Sequence, residues 1–123
     1  ENLEFCKNAL IKAEYDVTTC TKGETAIKLY EKSPFDLILL DLFMPDIDGL
    51  QMLVKLGDKF QNYCAITMSN VDKYPAEFKR LFYSTKMIGA SEVIEKPFTE
   101  KQLVDLVKEV LTKHMGLQNK PSK

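Results

Sequence analysis

Apolar and polar positions alternate along the chain with two different periods. Apolar residues recur at helical spacing near the start, at Leu3, Cys6, Leu10 and Ala13, and the same spacing returns in residues 24–32, 49–60, 75–88 and from residue 100 onward. Short apolar or β-branched runs lie between these segments, and they predict strands at residues 15–20, 37–40, 63–69 and 91–95. Strands that alternate with helices predict an α/β fold, with a parallel sheet covered by helices on both faces.

Local signals indicate where the later helices begin and end. Gly89 follows the helical pattern of residues 75–88 and is suited to terminate it. Thr99 and Gln102 have the spacing of a capping box, in which each side chain satisfies the other residue's backbone N–H. The apolar positions of two helices predict their buried faces: Leu50, Leu53, Val54 and Leu56 in one, and Phe78, Leu81, Phe82 and Met87 in the other.

Three polar side chains stand at the ends of predicted strands. Residues 37–40 form an apolar run, typical of a strand buried on both faces, and Asp41 follows directly. Ser69 closes the next run, and Lys96 follows the last one. Because parallel strands end at one edge of a sheet, this topology predicts that a carboxylate, a hydroxyl and an ammonium group share a site.

Composition narrows the classes of function. The 123 residues predict one domain, and a net charge of −1 gives no electrostatic reason to expect nucleic acid as a direct partner. No apolar run reaches the length of a membrane span, and the N-terminus lacks the pattern of a signal peptide. Cys6, Cys20 and Cys64 are odd in number and have apolar neighbours, so they indicate thiols in a reducing, cytoplasmic compartment.

Four motifs, in order along nearly the whole chain, resemble the receiver domains of two-component response regulators. They are Asp41-Leu-Phe-Met-Pro-Asp-Ile-Asp-Gly49, Ser69-Asn70, Gly89-Ala90 and Lys96-Pro97-Phe98. The resemblance implies a flavodoxin-like fold, a doubly wound parallel sheet in three α/β/α layers. The receiver domain is expected over residues 1–115, followed by a polar tail over residues 116–123.

The resemblance also implies a chemistry for the shared edge. Asp41 is the expected phosphoacceptor, Lys96 pairs with a phosphoryl oxygen, and Ser69 donates a hydrogen bond to another. Thr67, on the same strand, stays the alternative to Ser69. Mg²⁺ is the expected cofactor, with the Asp41 carboxylate and the backbone carbonyl of Phe43 as ligands, and the family implies a cis Lys96–Pro97 peptide.

The chain departs from the family pattern at its start. Receivers begin with a central strand and two adjacent acidic residues that complete the Mg²⁺ site, and neither is present here. Asn2, Leu3 and Tyr15 fit the family's first helix and second strand, so we expect that the sequence begins beyond the missing strand. A missing central strand exposes two apolar edges of the sheet. A strand exchanged between two chains can cover these edges, so monomer and dimer both stay open.

The expected partners are a histidine kinase or phosphotransfer protein and an output domain or effector. Phosphotransfer and autodephosphorylation are the only chemistry that the resemblance implies. Two alternatives stay open: a receiver-like interaction module that is not phosphorylated, favoured by the missing acidic pair, and a haloacid-dehalogenase phosphatase. The second ranks low, since that family needs an Asp where this chain has Phe43.

Overall fold

The computed structural model describes residues 2–42, 48–70, 72 and 75–118. Phe43, the predicted source of a carbonyl ligand, lies outside these residues. The elements in chain order are α1 (Asn2–Lys12), α2 (Gly23–Lys32), β1 (Ile38–Asp41), α3 (Asp48–Lys59), β2 (Ala65–Ser69), α4 (Ala76–Ile88), β3 (Glu92–Glu95) and α5 (Glu100–Gln118). They form two compact units, Cys20–Pro97 and the combination of Glu1–Thr19 with Phe98–Lys123.

A parallel sheet forms the centre of the unit Cys20–Pro97. Among the described residues it has three strands in the order β1-β2-β3. Leu40 pairs with Thr67, and Thr67 pairs with Val93. Every residue of β2 is buried, as expected for a strand with a neighbour on each side.

Residues 37–40 were expected to form a strand buried on both faces. This prediction was wrong for most of β1. Leu40 is buried, but Ile38, Leu39 and Asp41 are only half-buried. In the described sheet, β1 has a neighbour on one side only, so less of its surface is covered. An apolar run shows that a strand is suited to burial, but the number of neighbouring strands decides how much burial it obtains.

The helices α3 and α4 bury narrower faces than the apolar pattern predicted. Met52, Leu53 and Leu56 of α3 are buried, whereas Val54 is 45% exposed. Phe78 and Phe82 of α4 are buried, whereas Leu81 is 40% and Met87 92% exposed. Leu56 lies four residues after Met52 and three after Leu53, and Phe82 lies four residues after Phe78. The buried side chains of each helix therefore lie on one face, and the exposed ones fall on its flanks.

The predicted strand at residues 15–20 is not formed. These residues belong to no helix or strand, and no described segment pairs with them. A strand needs a hydrogen-bonded neighbour, and the neighbour that the resemblance implies for this segment is not among the described strands. The propensity of residues 15–20 for extended structure is therefore insufficient to form a strand.

The helices α1 and α5 form the other unit, where they pack against each other. The rings of Phe5 and Phe98 have centroids 6.0 Å apart, and the Lys12 Nζ lies 3.6 Å from a Glu100 carboxylate oxygen. The capping box is confirmed: the Gln102 N–H donates to Thr99 Oγ1 over 3.0 Å, and the Thr99 N–H donates to Gln102 Oε1 over 2.8 Å. No described helix has the length and apolar character needed to cross a bilayer.

Candidate functional site

The carboxyl ends of the three described strands lie side by side and are joined by backbone hydrogen bonds. Asp41 is the last residue of β1, Ser69 is the last residue of β2, and Lys96 directly follows β3. The Leu42 N–H donates to the Met68 carbonyl over 2.7 Å, and the Lys96 N–H donates to the Ser69 carbonyl over 2.8 Å. These bonds continue the sheet's pairing just past the strand ends, so the three predicted site residues are held on one edge.

Asp41 and Lys96 form a close charge pair across this edge. The Lys96 Nζ lies 2.8 Å from Asp41 Oδ2, to which it donates a hydrogen bond, and also 2.8 Å from Oδ1. Oδ1 is buried and accepts no hydrogen bond of good geometry from any described residue. The Lys96 side chain is 10% exposed and the Asp41 side chain is 30% exposed, so the carboxylate stays open to an incoming group while the lysine stem is covered.

Two hydroxyl groups of β2 have different surroundings. The Thr67 hydroxyl forms a 2.9 Å hydrogen bond with the Thr85 hydroxyl of α4. The Ser69 side chain is fully buried, and its Oγ has no hydrogen-bond partner among the described residues. A buried hydroxyl without a partner is costly. This difference favours Ser69 over Thr67 as the hydroxyl that serves a ligand.

Gly49 brings the first turn of α3 against the strand end that carries Asp41. A Cβ at Gly49 would lie 3.0 Å from the Asp41 carbonyl oxygen and would overlap the Leu42 side chain. The glycine in the Asp41–Gly49 motif therefore permits a close backbone approach. The motif is visible in the sequence, but this packing reason appears only when α3 lies beside β1.

A further contact next to the site was not predicted from the sequence. The Tyr83 hydroxyl of α4 donates a hydrogen bond to Glu95 Oε2, and Glu95 directly precedes Lys96. The Lys86 Nζ also lies 3.3 Å from Glu92 Oε1, which is a second polar link between α4 and β3. No signal in the sequence identified these pairs, because exposed charged and tyrosine side chains on a helix are ordinary.

The cis peptide expected at Lys96–Pro97 is confirmed.

The described residues fit Mg²⁺ only in part. Mg²⁺ binds carboxylate and carbonyl oxygens and keeps several waters. Asp41 offers a carboxylate whose Oδ1 is buried and accepts no hydrogen bond of good geometry from the described residues, which suits a metal ligand. No group of three His, Cys, Asp or Glu side chains that could hold a metal occurs in the described part of the chain. Asp41 is thus one residue that could hold the ion, and the described residues do not form a complete cage around it.

The chain belongs to the response regulator receiver domain family, whose model matches residues 1–108. A relative from Bacillus subtilis, the alkaline phosphatase synthesis transcriptional regulatory protein PhoP, is 29% identical over 83% of this chain and 40% of its own length. The two-component response regulator ARR11 of Arabidopsis thaliana is 30% identical over 92% of this chain and 21% of its own length. The chain thus spans well under half of each of these relatives.

Solved structures show the same fold. The receiver domain of NtrX from Brucella abortus has a TM-score of 0.78 at 19% identity, covering 89% of this chain and 88% of that one. The signal receiver domain of a putative Luxo repressor protein from Vibrio parahaemolyticus has a TM-score of 0.81 at 22% identity, covering 98% and 88%. The predicted flavodoxin-like α/β fold is therefore confirmed. Domains of this family act in two-component systems, interact with histidine kinases and output domains, and generally bind Mg²⁺ at their phosphorylation site.

Proposed function

We propose that this domain accepts a phosphoryl group on Asp41 from a histidine kinase or a phosphotransfer protein. The observation that carries the proposal is the Lys96 Nζ, 2.8 Å from both oxygens of a carboxylate that is still open to solvent. A fixed cation beside the accepting oxygens is suited to the negative charge that a phosphoryl group brings. The buried Ser69 hydroxyl supplies a hydrogen-bond donor on the same edge.

The transfer is a displacement at phosphorus. An Asp41 carboxylate oxygen attacks the phosphorus of a phosphohistidine, a new O–P bond forms, and the N–P bond breaks. The electron pair of that bond returns to the imidazole nitrogen. The product is an aspartyl phosphate, which water later hydrolyses to the carboxylate and inorganic phosphate.

Lys96 and Ser69 have separate roles in this step. Oδ1 of Asp41 is buried, so Oδ2 is the polar atom that can account for the exposure of this side chain. Oδ2 is therefore the oxygen that approaches the phosphoryl donor. The Lys96 ammonium pairs with one phosphoryl oxygen, and the Ser69 hydroxyl donates to another. Mg²⁺, when bound with Asp41 as a ligand, supplies further positive charge against the phosphoryl oxygens.

Mass spectrometry of the intact chain tests the proposal. The folded chain is incubated with Mg²⁺ and acetyl phosphate, and we expect a mass gain of one phosphoryl group. Asp41→Asn should abolish the gain. Asp36→Asn, which changes an exposed aspartate before β1, is the matched control and should keep the gain. If the folded wild-type chain gains no mass, or Asp41→Asn gains it equally, the proposal is wrong and the unphosphorylated interaction module is favoured.

The partners and location extend the same proposal. The relatives are much longer than this chain, which supports an output domain or effector as the recipient of the signal. The three cysteines carry thiols, which supports a reducing cytoplasmic location. Residues 1–115 are proposed as the receiver domain, with residues 116–123 as a tail.

A further inference from the structure

A buried hydrogen-bonded chain connects α4 to the strand that carries Ser69. The Thr85 hydroxyl lies 2.6 Å from the Phe82 carbonyl, to which it donates, and 2.9 Å from the Thr67 hydroxyl. Thr85 has a single hydroxyl hydrogen, which goes to Phe82, so Thr67 is the donor to Thr85. Both threonine side chains are fully buried.

Packing alone does not require these hydroxyls. Valine has nearly the shape of threonine, and a matched apolar pair in a core is often as stable as a hydrogen-bonded one. A fully satisfied buried polar contact fixes the relative position of the two elements that carry it, because each hydroxyl is costly unless it meets the other. The Thr67–Thr85 bond therefore fixes one point of β2 against one point of α4.

Thr67 lies two residues before Ser69 in β2. The two side chains are on the same face of the strand, because successive side chains alternate between faces. The next fixed point is the Ser69 carbonyl, which accepts the Lys96 N–H over 2.8 Å. The Ser69 hydroxyl lies between these constraints and has no partner of its own among the described residues. The backbone sets the direction of the Ser69 Cα–Cβ bond, from which the hydroxyl extends, and this part of the backbone is held from α4.

We propose that Thr85 is a positioning residue, which acts through Thr67 to aim the Ser69 hydroxyl at a phosphoryl oxygen on Asp41. This inference rests on the proposed function. It assigns a role in phosphoryl transfer to a helix residue that does not touch the reacting atoms. Thr85→Val leaves the Thr67 hydroxyl buried without its acceptor, so β2 shifts and the Ser69 hydroxyl loses its alignment.

Phosphorylation rates in a double-mutant cycle test this assignment. The rate constant for mass gain from acetyl phosphate is measured for wild type, Thr85→Val, Ser69→Ala and the double variant. We expect Thr85→Val to slow the gain about fivefold, the ratio that corresponds to one net hydrogen bond. Thr85→Ser, which keeps the hydroxyl, should restore most of the rate. The double variant should be no slower than Ser69→Ala alone, because Thr85 acts only through Ser69.

A purely structural role predicts a different pattern. If Thr85→Val matches wild type, or if its loss multiplies with that of Ser69→Ala, the inference is wrong. Thr25→Val, at an exposed position of α2, is the control for the same substitution and should not change the rate. If Thr85→Val does not fold, the double variant Thr67→Val/Thr85→Val leaves no hydroxyl without a partner and should fold. It should still slow the gain about fivefold, because the hydrogen bond that fixes β2 against α4 is absent.

Failure of the inference and failure of the proposed function give different results. A wild-type chain that gains phosphate, with the gain lost in Asp41→Asn, supports the proposed function whatever Thr85→Val does. A wild-type chain that gains no phosphate refutes the proposed function, and the assignment of Thr85 falls with it.

Discussion

Gly89, at the end of α4, occupies a backbone conformation and a space that no other residue suits. Its φ is 143°, which residues with a Cβ rarely adopt. A Cβ at this position would overlap the Tyr63 hydroxyl oxygen and lie 3.2 Å from the ring atom Cζ. Gly89→Ala should therefore destabilise the fold through two separate effects, backbone strain and overlap with Tyr63.

The size of each effect follows from its cause. A strained backbone conformation costs about 1–3 kcal/mol. Forcing an extra methyl group into a packed site costs about 1–3 kcal/mol, reduced if the Tyr63 ring can tilt away. We expect Gly89→Ala to lower the free energy of unfolding by about 3 kcal/mol in total, a large part of the stability of an ordinary domain.

Equilibrium unfolding in urea, followed by circular dichroism, measures this loss. Gly116→Ala is the matched control, since a Cβ there has nothing within 4 Å and the position is inside α5. It should raise the free energy of unfolding by about 0.5–1 kcal/mol, because alanine favours helix over glycine. The same substitution at two glycines should thus have opposite signs.

A second substitution separates strain from overlap. Tyr63→Phe removes the overlapping oxygen, so Gly89→Ala in that background should regain about 1–2 kcal/mol and retain the cost of strain. If Gly89→Ala is within about 0.5 kcal/mol of wild type, the reasoning is refuted. If Tyr63→Phe gives no recovery, the overlap is not a cause of the loss.

The capping box, the charge pair and a buried thiol each make a further prediction. Thr99→Ala should cost about 1 kcal/mol in urea unfolding, because the Gln102 N–H loses its acceptor; an unchanged midpoint would contradict the cap's role. A double-mutant cycle of Asp41→Asn and Lys96→Met should give a coupling of about 1–2 kcal/mol, and additive losses would show that the contact contributes nothing. Burial raises the pKa of the Cys64 thiol above its ordinary 9.0. The unfolded state therefore loses this proton first, and stability falls as the pH rises from about 9 through the raised value. Cys64→Ala should reduce that decline in alkaline urea titrations, and an equal decline in both proteins would refute this cause.

All five described helices and three of the four predicted strands could be identified from the sequence. Their apolar periods and end signals are local, so the capping box at Thr99 and the helix end at Gly89 were correctly predicted. The strand at residues 15–20 was wrong because its formation depends on a neighbouring strand. The exposure of Met87 was missed for a similar reason, since a helical pattern does not show how wide a face the sheet covers.

The sequence alone determined which residues are candidates for the chemistry. Asp41 follows one apolar run, and polar residues stand at the ends of two later runs. The only further assumption needed to place them together is that parallel strands end on one edge of a sheet. The tertiary structure decided how those residues meet: the Lys96 ammonium across the Asp41 carboxylate, and the Thr67 hydroxyl bonded to Thr85 while that of Ser69 has no described partner. The physical reason is distance along the chain. Chain order and periodicity are local, whereas hydrogen bonds between residues 18 or 55 positions apart depend on how whole elements pack.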